Sequence, residues 1–322
     1  MQQHSPYLNP GWADAVWDVS GAFVNDRELI AFHDFCTLLL GFSPFNIVHG
    51  APLCTWNSGR VLQHLMRTAE EIRAAGLEYE KRNIALYYTF TNLNLKEEHL
   101  SDPIGNAMLT FATNHNPTGR NAVIMASDAL LHHVKSNFPK LRTVSSILKI
   151  TNSGGKGKLS AYQHLAEQYD EVMVHPDDVL NYELLEKLEE KERYILLVNE
   201  YCIRECPMRA LHYSTLSKMA LNYFGYDGSE FDKKQATNGC RSLGTLLTHP
   251  KHSVLALNTP EIAKLREMGY RHFKLQGRGH MNASSILFDL LRLVMRNDAA
   301  DENAMHAISQ RFWESILPRI PS

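Results

Sequence analysis

Cys202 and Cys206 stand four positions apart in the run YCIRECPMRALHY, and a third thiol, Cys240, follows later in the chain. Thiolates are soft ligands, so a close pair joined by a third sulfur suits an iron–sulfur cluster or a zinc ion. Two buried, inert thiols are the plain alternative. Pro207, Arg209 and His212 come directly after the pair and offer a rigid turn, a fixed cation and an imidazole that titrates near neutrality. Asn199 and Glu200 precede it, and Glu200 or His212 could move a proton if either lies within hydrogen-bond reach of a substrate. Asn199, Glu200 and His212 are therefore the candidate catalytic residues, and Cys202, Cys206 and Cys240 the candidate metal ligands. Of the remaining cysteines, Cys36 falls on the apolar stripe of an early helix and reads as core. Cys54 could add a fourth ligand only if the fold carries it to the same rim.

A second cluster lies in FKLQGRGHMNAS, residues 273–284. Lys274 and Arg278 can neutralise anionic groups, the guanidinium as a bidentate fork, while Gly277 and Gly279 let backbone approach a ligand closely. Polar residues also gather elsewhere after apolar runs: His49, Asn57 and Arg60 in one stretch, Asn92 in another, His175, Asp177 and Asp178 in a third. The candidate substrate contacts are His49, Asn57, Arg60, Asn92, Arg209, Lys274 and Arg278. Asp128, Asp177 and Asn57 read first as helix N-caps and only second as catalytic groups, because loop-to-helix junctions select those residue types. The glycine-lysine stretch NSGGKGK, residues 152–158, lacks the spacing of a nucleotide-binding P-loop and reads as a loop that could touch an anion. The chain contains no HxH pair, HExxH motif or Ser–His–Asp pattern, which weighs against the common metallohydrolase and serine-peptidase layouts.

These groups need elements to hold them. Eight short β-branched or aromatic runs recur at 45–50, 84–90, 122–127, 142–148, 171–176, 194–200, 253–258 and 271–277, each followed by a loop and a segment of helical spacing. Strand–helix alternation implies a parallel sheet with right-handed crossovers, and eight repeats suit closure into an α/β (β/α)8 barrel with the reaction site at the C-terminal ends of its strands. Residues 44–298 are assigned to the barrel, 1–43 to an N-terminal extension whose helix begins near Asp26, and 299–322 to a closing helix. The spacing also predicts a helix over 60–75 ended by Gly76, and a long insertion between the sixth and seventh runs.

Bulk properties narrow the class. Hydrophobic residues make up 44% of the 322, enough to bury a sizeable core, so the chain is not a disordered tail. A formal charge of −2 gives no strong drive toward nucleic acid or anionic membrane. The N-terminus lacks the basic start and apolar core of a secretory signal, and no apolar run approaches membrane-spanning length, so a cytoplasmic location is expected. The expected partners are a small-molecule or nucleotide-like substrate and, for redox chemistry, a partner protein or electron donor.

Two stretches carry a family resemblance. LVNEYCIRECPMR is similar to the strand that runs into cluster-binding cysteines in the collagenase-like peptidase family, in its ubiquinone-biosynthesis and RNA-hydroxylation branch. FKLQGR resembles that family's lysine–hydrophobe–glutamate–glycine–arginine signature. The resemblance implies a barrel holding a 4Fe–4S cluster and oxygen-independent hydroxylation of a ring or nucleobase, with Cys202 and Cys206 as the first ligands and Cys240 as a later one. Here the cysteine spacing is shorter, no cysteine follows Cys240, and Gln276 stands where the signature has glutamate. A cluster-free or zinc-dependent hydrolase or lyase, and a non-catalytic ligand-binding subunit, are the other readings.

Overall fold

The computed structural model describes residues 5–12, 14–58, 67–225, 254–277, 283–296 and 302–316. Its strands are β1 (Val16–Ser20), β2 (Ile47–Gly50), β3 (Ala85–Phe90), β4 (Ala122–Met125), β5 (Arg142–Ser145), β6 (Glu171–Met173), β7 (Tyr194–Leu197), β8 (Asn199–Ile203), β9 (Val254–Ala256) and β10 (His272–Leu275). The order β1-β10-β7-β6-β5-β4-β3-β2 closes on itself with every neighbour parallel, an α/β (β/α)8 barrel. Around it lie α1 (Asp26–Leu39), α2 (Ala69–Lys81), α3 (Pro103–Asn114), α4 (Asp128–Asn137), α5 (Ile147–Asn152), α6 (Leu159–Gln168), α7 (Tyr182–Lys187), α8 (Arg209–Tyr223), α9 (Thr259–Glu267), α10 (Ala283–Val294) and α11 (Glu302–Ile316).

The barrel has the expected fold, but one of its strands is not the expected one. The run at 253–258 gives β9, which pairs antiparallel with β8 outside the barrel. The missing staple is β1, from the stretch assigned to an N-terminal extension, wedged between β10 and β2. Trp17 and Val19 of β1 are buried, Trp17 against Trp12 and Phe273, while Asp18 on the alternate face meets side chains of both neighbouring strands. Strand β8 prolongs β7 beyond the barrel, and the change of partner occurs at Val198. Its N–H donates to Lys274 on β10 and its carbonyl accepts from Leu257 after β9. The result is a two-stranded ribbon rising from the C-terminal mouth, with the cysteine run on one strand.

Helix α2 begins at Thr68, whose side chain forms a capping box with Glu71, so Gly76 lies inside the helix instead of ending it. A β-carbon at Gly76 would sit 2.5 Å from the Phe111 ring, so the glycine serves close packing of α2 on α3. Helix α9 is capped by Asn258 with Glu261 in a second capping box, where the sequence suggests Thr259 as the cap, and Gly269 follows it at a φ of 107°. Both late predictions about flanking helices match α1 and α11.

The barrel interior is polar at its lower end. Tyr87 on β3 donates across the barrel to Glu171 on β6 at 2.9 Å, Arg142 pairs with the other Glu171 oxygen at 3.1 Å, and buried His272 lies 3.9 Å from it. Arg142, Glu171 and His272 each open their strand, so this layer plugs the N-terminal end, where barrels carry stability more than chemistry.

Candidate functional site

One layer up, toward the C-terminal mouth, three adjacent strands contribute a second polar cluster. Asp18 on β1 is wholly buried and accepts from both sides: His49 Nδ1 of β2 at 2.6 Å on one carboxylate oxygen, Lys274 Nζ of β10 at 2.7 Å on the other. Burial alone would push the Asp18 carboxyl up, but the His49 and Lys274 partners hold it well below the usual carboxylate range. Burial also lowers the pKa of His49, against the pull of Asp18, so the imidazole is neutral near pH 7. A neutral imidazole facing an ionised carboxylate at Nδ1 places its proton there, which leaves the Nε2 lone pair unprotonated. Nε2 bonds to no described residue, and the His49 side chain keeps 11% of its exposure where Asp18 keeps none. The arrangement is a base whose tautomer is set by a buried anion.

A rim cluster joins this floor along β10. Gln276 lies two residues beyond Lys274 on the same face of the chain. Its amide nitrogen donates to Glu200 Oε2 at 3.4 Å, and its backbone N–H donates to Asn199 Oδ1 at 2.7 Å. Glu200, the residue after the hinge of the ribbon, also accepts from the Cys202 backbone N–H at 3.2 Å and has Arg209 Nη1 at 3.7 Å. A glutamate at 276 would set two carboxylates against each other, whereas the Gln276 amide donates to Glu200. Arg209 donates to the Ile203 carbonyl at 2.9 Å and lies 3.5 Å from Asp177, yet its buried Nε and Nη1 hydrogen-bond to no described residue. Lys156 of the glycine-lysine loop pairs with Glu205 in the cysteine turn and lies 3.7 Å from Asp177. The loop thus reaches the rim through its lysine, and Gly157 N–H anchors it on Asp178 at 2.8 Å.

The predicted residues divide by place. His49 and Lys274 share the floor through Asp18, whereas Asn199, Glu200, Cys202 and Arg209 share the rim. Cys206 lies partly exposed past a turn in which Glu205 adopts the left-handed φ of 54°, and His212 is half-buried on α8, stacked on Tyr213. Asn57 and Asn92 belong to a separate network. Asn92 donates to the backbone carbonyls of Thr55, Asn57 and Ser217, tying the loop after β2 to α8, and Asn57 donates to the Pro52 carbonyl. Arg60, Cys240 and Arg278 lie outside the described residues. Asp18 is the residue that sequence reasoning missed.

The thiols fit a metal only in part. Cys54 is fully buried beside Asp102 and burial pushes its pKa up, and Cys36 is fully buried on α1. Among the described residues no three or more His, Cys, Asp or Glu side chains gather as a metal site, so Cys54 does not join Cys202 and Cys206 as a fourth ligand. A four-cysteine cage is therefore not assembled from the described thiols. A cleft of about 390 Å³ at the β4 and β5 ends, lined by Leu93, Leu95, Ser127, Asp128, Lys149 and Asn152, holds charges that satisfy each other, since Lys149 pairs with Asp128.

No protein-family model and no curated protein matches the chain. Among solved structures, the U32 peptidase Mk0906 superposes with a TM-score of 0.48 at 14% identity, over 82% of this chain and 93% of its own. The exo-β-1,4-mannosidase Op5Man5 from Opitutaceae bacterium strain TAV5 gives 0.29 at 9% identity, over 99% of this chain and 63% of its own. The first belongs to the collagenase-like group named above. No helix among the described residues is long and apolar enough to cross a membrane.

Buried His175, whose Nδ1 accepts the Asp177 N–H at 3.1 Å, ties the rim to pH. Burial, reinforced by Arg209 and Lys156, pushes it from 6.5 down to about 3. The unfolded chain takes up this proton near 6.5 and the folded one only near 3, so between those values the unfolded state binds more protons and stability is lost as the pH is lowered. Chemical denaturation of His175→Gln at a series of pH values should show less stability lost on acidification across that window than in the parent; parallel losses would contradict the assignment.

Proposed function

We propose that the chain is an enzyme that abstracts and returns a proton on a small anionic substrate held in the barrel mouth. One observation carries the reading: the wholly buried Asp18 accepts from His49 Nδ1 at 2.6 Å and from Lys274 Nζ at 2.7 Å. This geometry supports His49 Nε2 as the general base. Lys274 offers a cation beside the charge that develops on the substrate, and Asp18 stabilises the imidazolium that forms. Arg209, whose buried Nε and Nη1 donate no hydrogen bond to a described residue although Glu200 and Asp177 flank the guanidinium, suits a carboxylate or phosphate at the rim. Glu200 and Gln276 line the path between floor and rim.

Proton abstraction reports itself without knowledge of the product. Incubation in D2O with a panel of small keto acids and phosphorylated metabolites, followed by NMR, should show deuterium entering a C–H position of one of them. His49→Gln should slow that exchange by about 10²–10⁴-fold. Exchange at the parental rate in this variant would reject His49 as the base.

A second reading places an iron–sulfur cluster, or zinc, on Cys202, Cys206 and Cys240, in support of hydroxylation of an aromatic or nucleotide-like substrate. It is favoured by Cys202 lying in the ribbon beside Arg209, whose orphaned N–H groups would satisfy an anionic centre. Such a centre would supply electron transfer or Lewis acidity. Iron, zinc and sulfide analysis of protein purified without oxygen decides it. Bound metal lost in both Cys202→Ser and Cys206→Ser is the expected result; metal-free protein with full exchange activity would leave the proton-transfer reading alone.

A further inference from the structure

Lys274 is placed as a nucleophile as well as a cation. It rises from the inward side of the last barrel strand and ends 2.7 Å from a buried carboxylate whose other oxygen holds a neutral imidazole at 2.6 Å. Its side chain retains 5% exposure and that of His49 retains 11%, whereas the carboxylate between them retains none. The exposed Lys81 and Lys187 also touch a carboxylate, but theirs is solvent-exposed and shared with no described imidazole.

From this juxtaposition we propose that Lys274 forms an imine with a ketone or aldehyde substrate, and that His49 then removes a proton from the carbon next to it. The inference rests on the reading of the mouth as a proton-transfer site and adds its substrate class. The step balances without a redox partner. The ammonium gives up two protons, both of which end on the departing oxygen, as its nitrogen bonds to the carbonyl carbon; Asp18 stays ionised beside it. The carbonyl oxygen leaves with two protons as water, and the nitrogen keeps one in the protonated imine. That imine draws electrons from the adjacent C–H bond, whose proton passes to His49 Nε2 and whose electron pair forms the enamine. Burial lowers the Lys274 pKa against the pull of Asp18, which raises the share of free amine.

Sodium borohydride reduces an imine to a stable secondary amine and so records where it formed. The full-length protein is mixed with pyruvate or, separately, glyceraldehyde, reduced, and mapped by peptide mass spectrometry. The expected result is a reduced adduct at residue 274, saturating with probe concentration, and lost in Lys274→Arg, which keeps a cation for Asp18. Adducts spread over exposed lysines such as Lys81 and Lys187, with none at 274 for either probe, would overturn the proposal. Deuterium exchange that depends on His49 with no adduct at 274 would reject the imine and keep the proton-transfer reading. An adduct at 274 with exchange indifferent to His49→Gln would keep the imine and overturn the half of the proposal that makes His49 the base.

Discussion

Asp18 is an ionised group in a place without water. A carboxylate removed from solvent costs several kcal/mol unless its lone pairs are occupied, and the loss of one partner is the expensive event. Both Asp18 oxygens are occupied, by groups from the strands on either side. That requirement couples three facts that would otherwise be separate: β1 must lie between β2 and β10, Lys274 must point into the barrel, and His49 must turn its Nδ1 inward. A barrel closed by another strand would leave Lys274 as a buried cation with nothing to balance it.

Two polar layers therefore share one interior and have different fates. The lower one joins Tyr87, Glu171, Arg142 and His272 at the strand N-termini, where Glu171 is bonded across the barrel and the group acts as a plug. The upper one joins His49, Asp18 and Lys274, with both carboxylate oxygens taken and His49 Nε2 bonded to no described residue. Above it the β8–β9 ribbon adds Glu200, Asn199 and Cys202 on a strand that has left the barrel, so the rim can vary without disturbing closure. Arg209 and Asp177 then tie the ribbon's far end to the loop after β6. Chemistry at the mouth thus draws on a rigid floor and a rim built from a different element.

The barrel was legible because buried parallel strands read as apolar runs, and seven of the eight expected runs are barrel strands. The eighth misled for a physical reason. SVLALN is apolar because Leu255 and Leu257 are buried beneath the ribbon, and burial alone does not say which sheet a strand joins. VWDVS carries an aspartate, a residue scarce in strands, yet its alternation of Trp17 and Val19 against Asp18, followed by Gly21 and a helix, has the same strand–turn–helix form as the other units. The residue that organises the site thereby hid the strand that carries it. His49 and Lys274 were found from their positions after or within apolar runs, whereas their shared partner depended on a closure between distant ends of the chain. Asn92 shows the opposite limit: a polar residue at a strand end whose amide is taken up by backbone carbonyls.

On this reading a buried carboxylate sets the protonation of one imidazole. Long-range proton–nitrogen NMR of histidine-labelled protein, with His49 assigned through its loss in His49→Gln, reads that state directly. The account predicts a neutral ring at pH 7 with its proton on Nδ1 and an unprotonated Nε2, and a change of that pattern in Asp18→Asn. A doubly protonated His49, or a proton resident on Nε2, would contradict it.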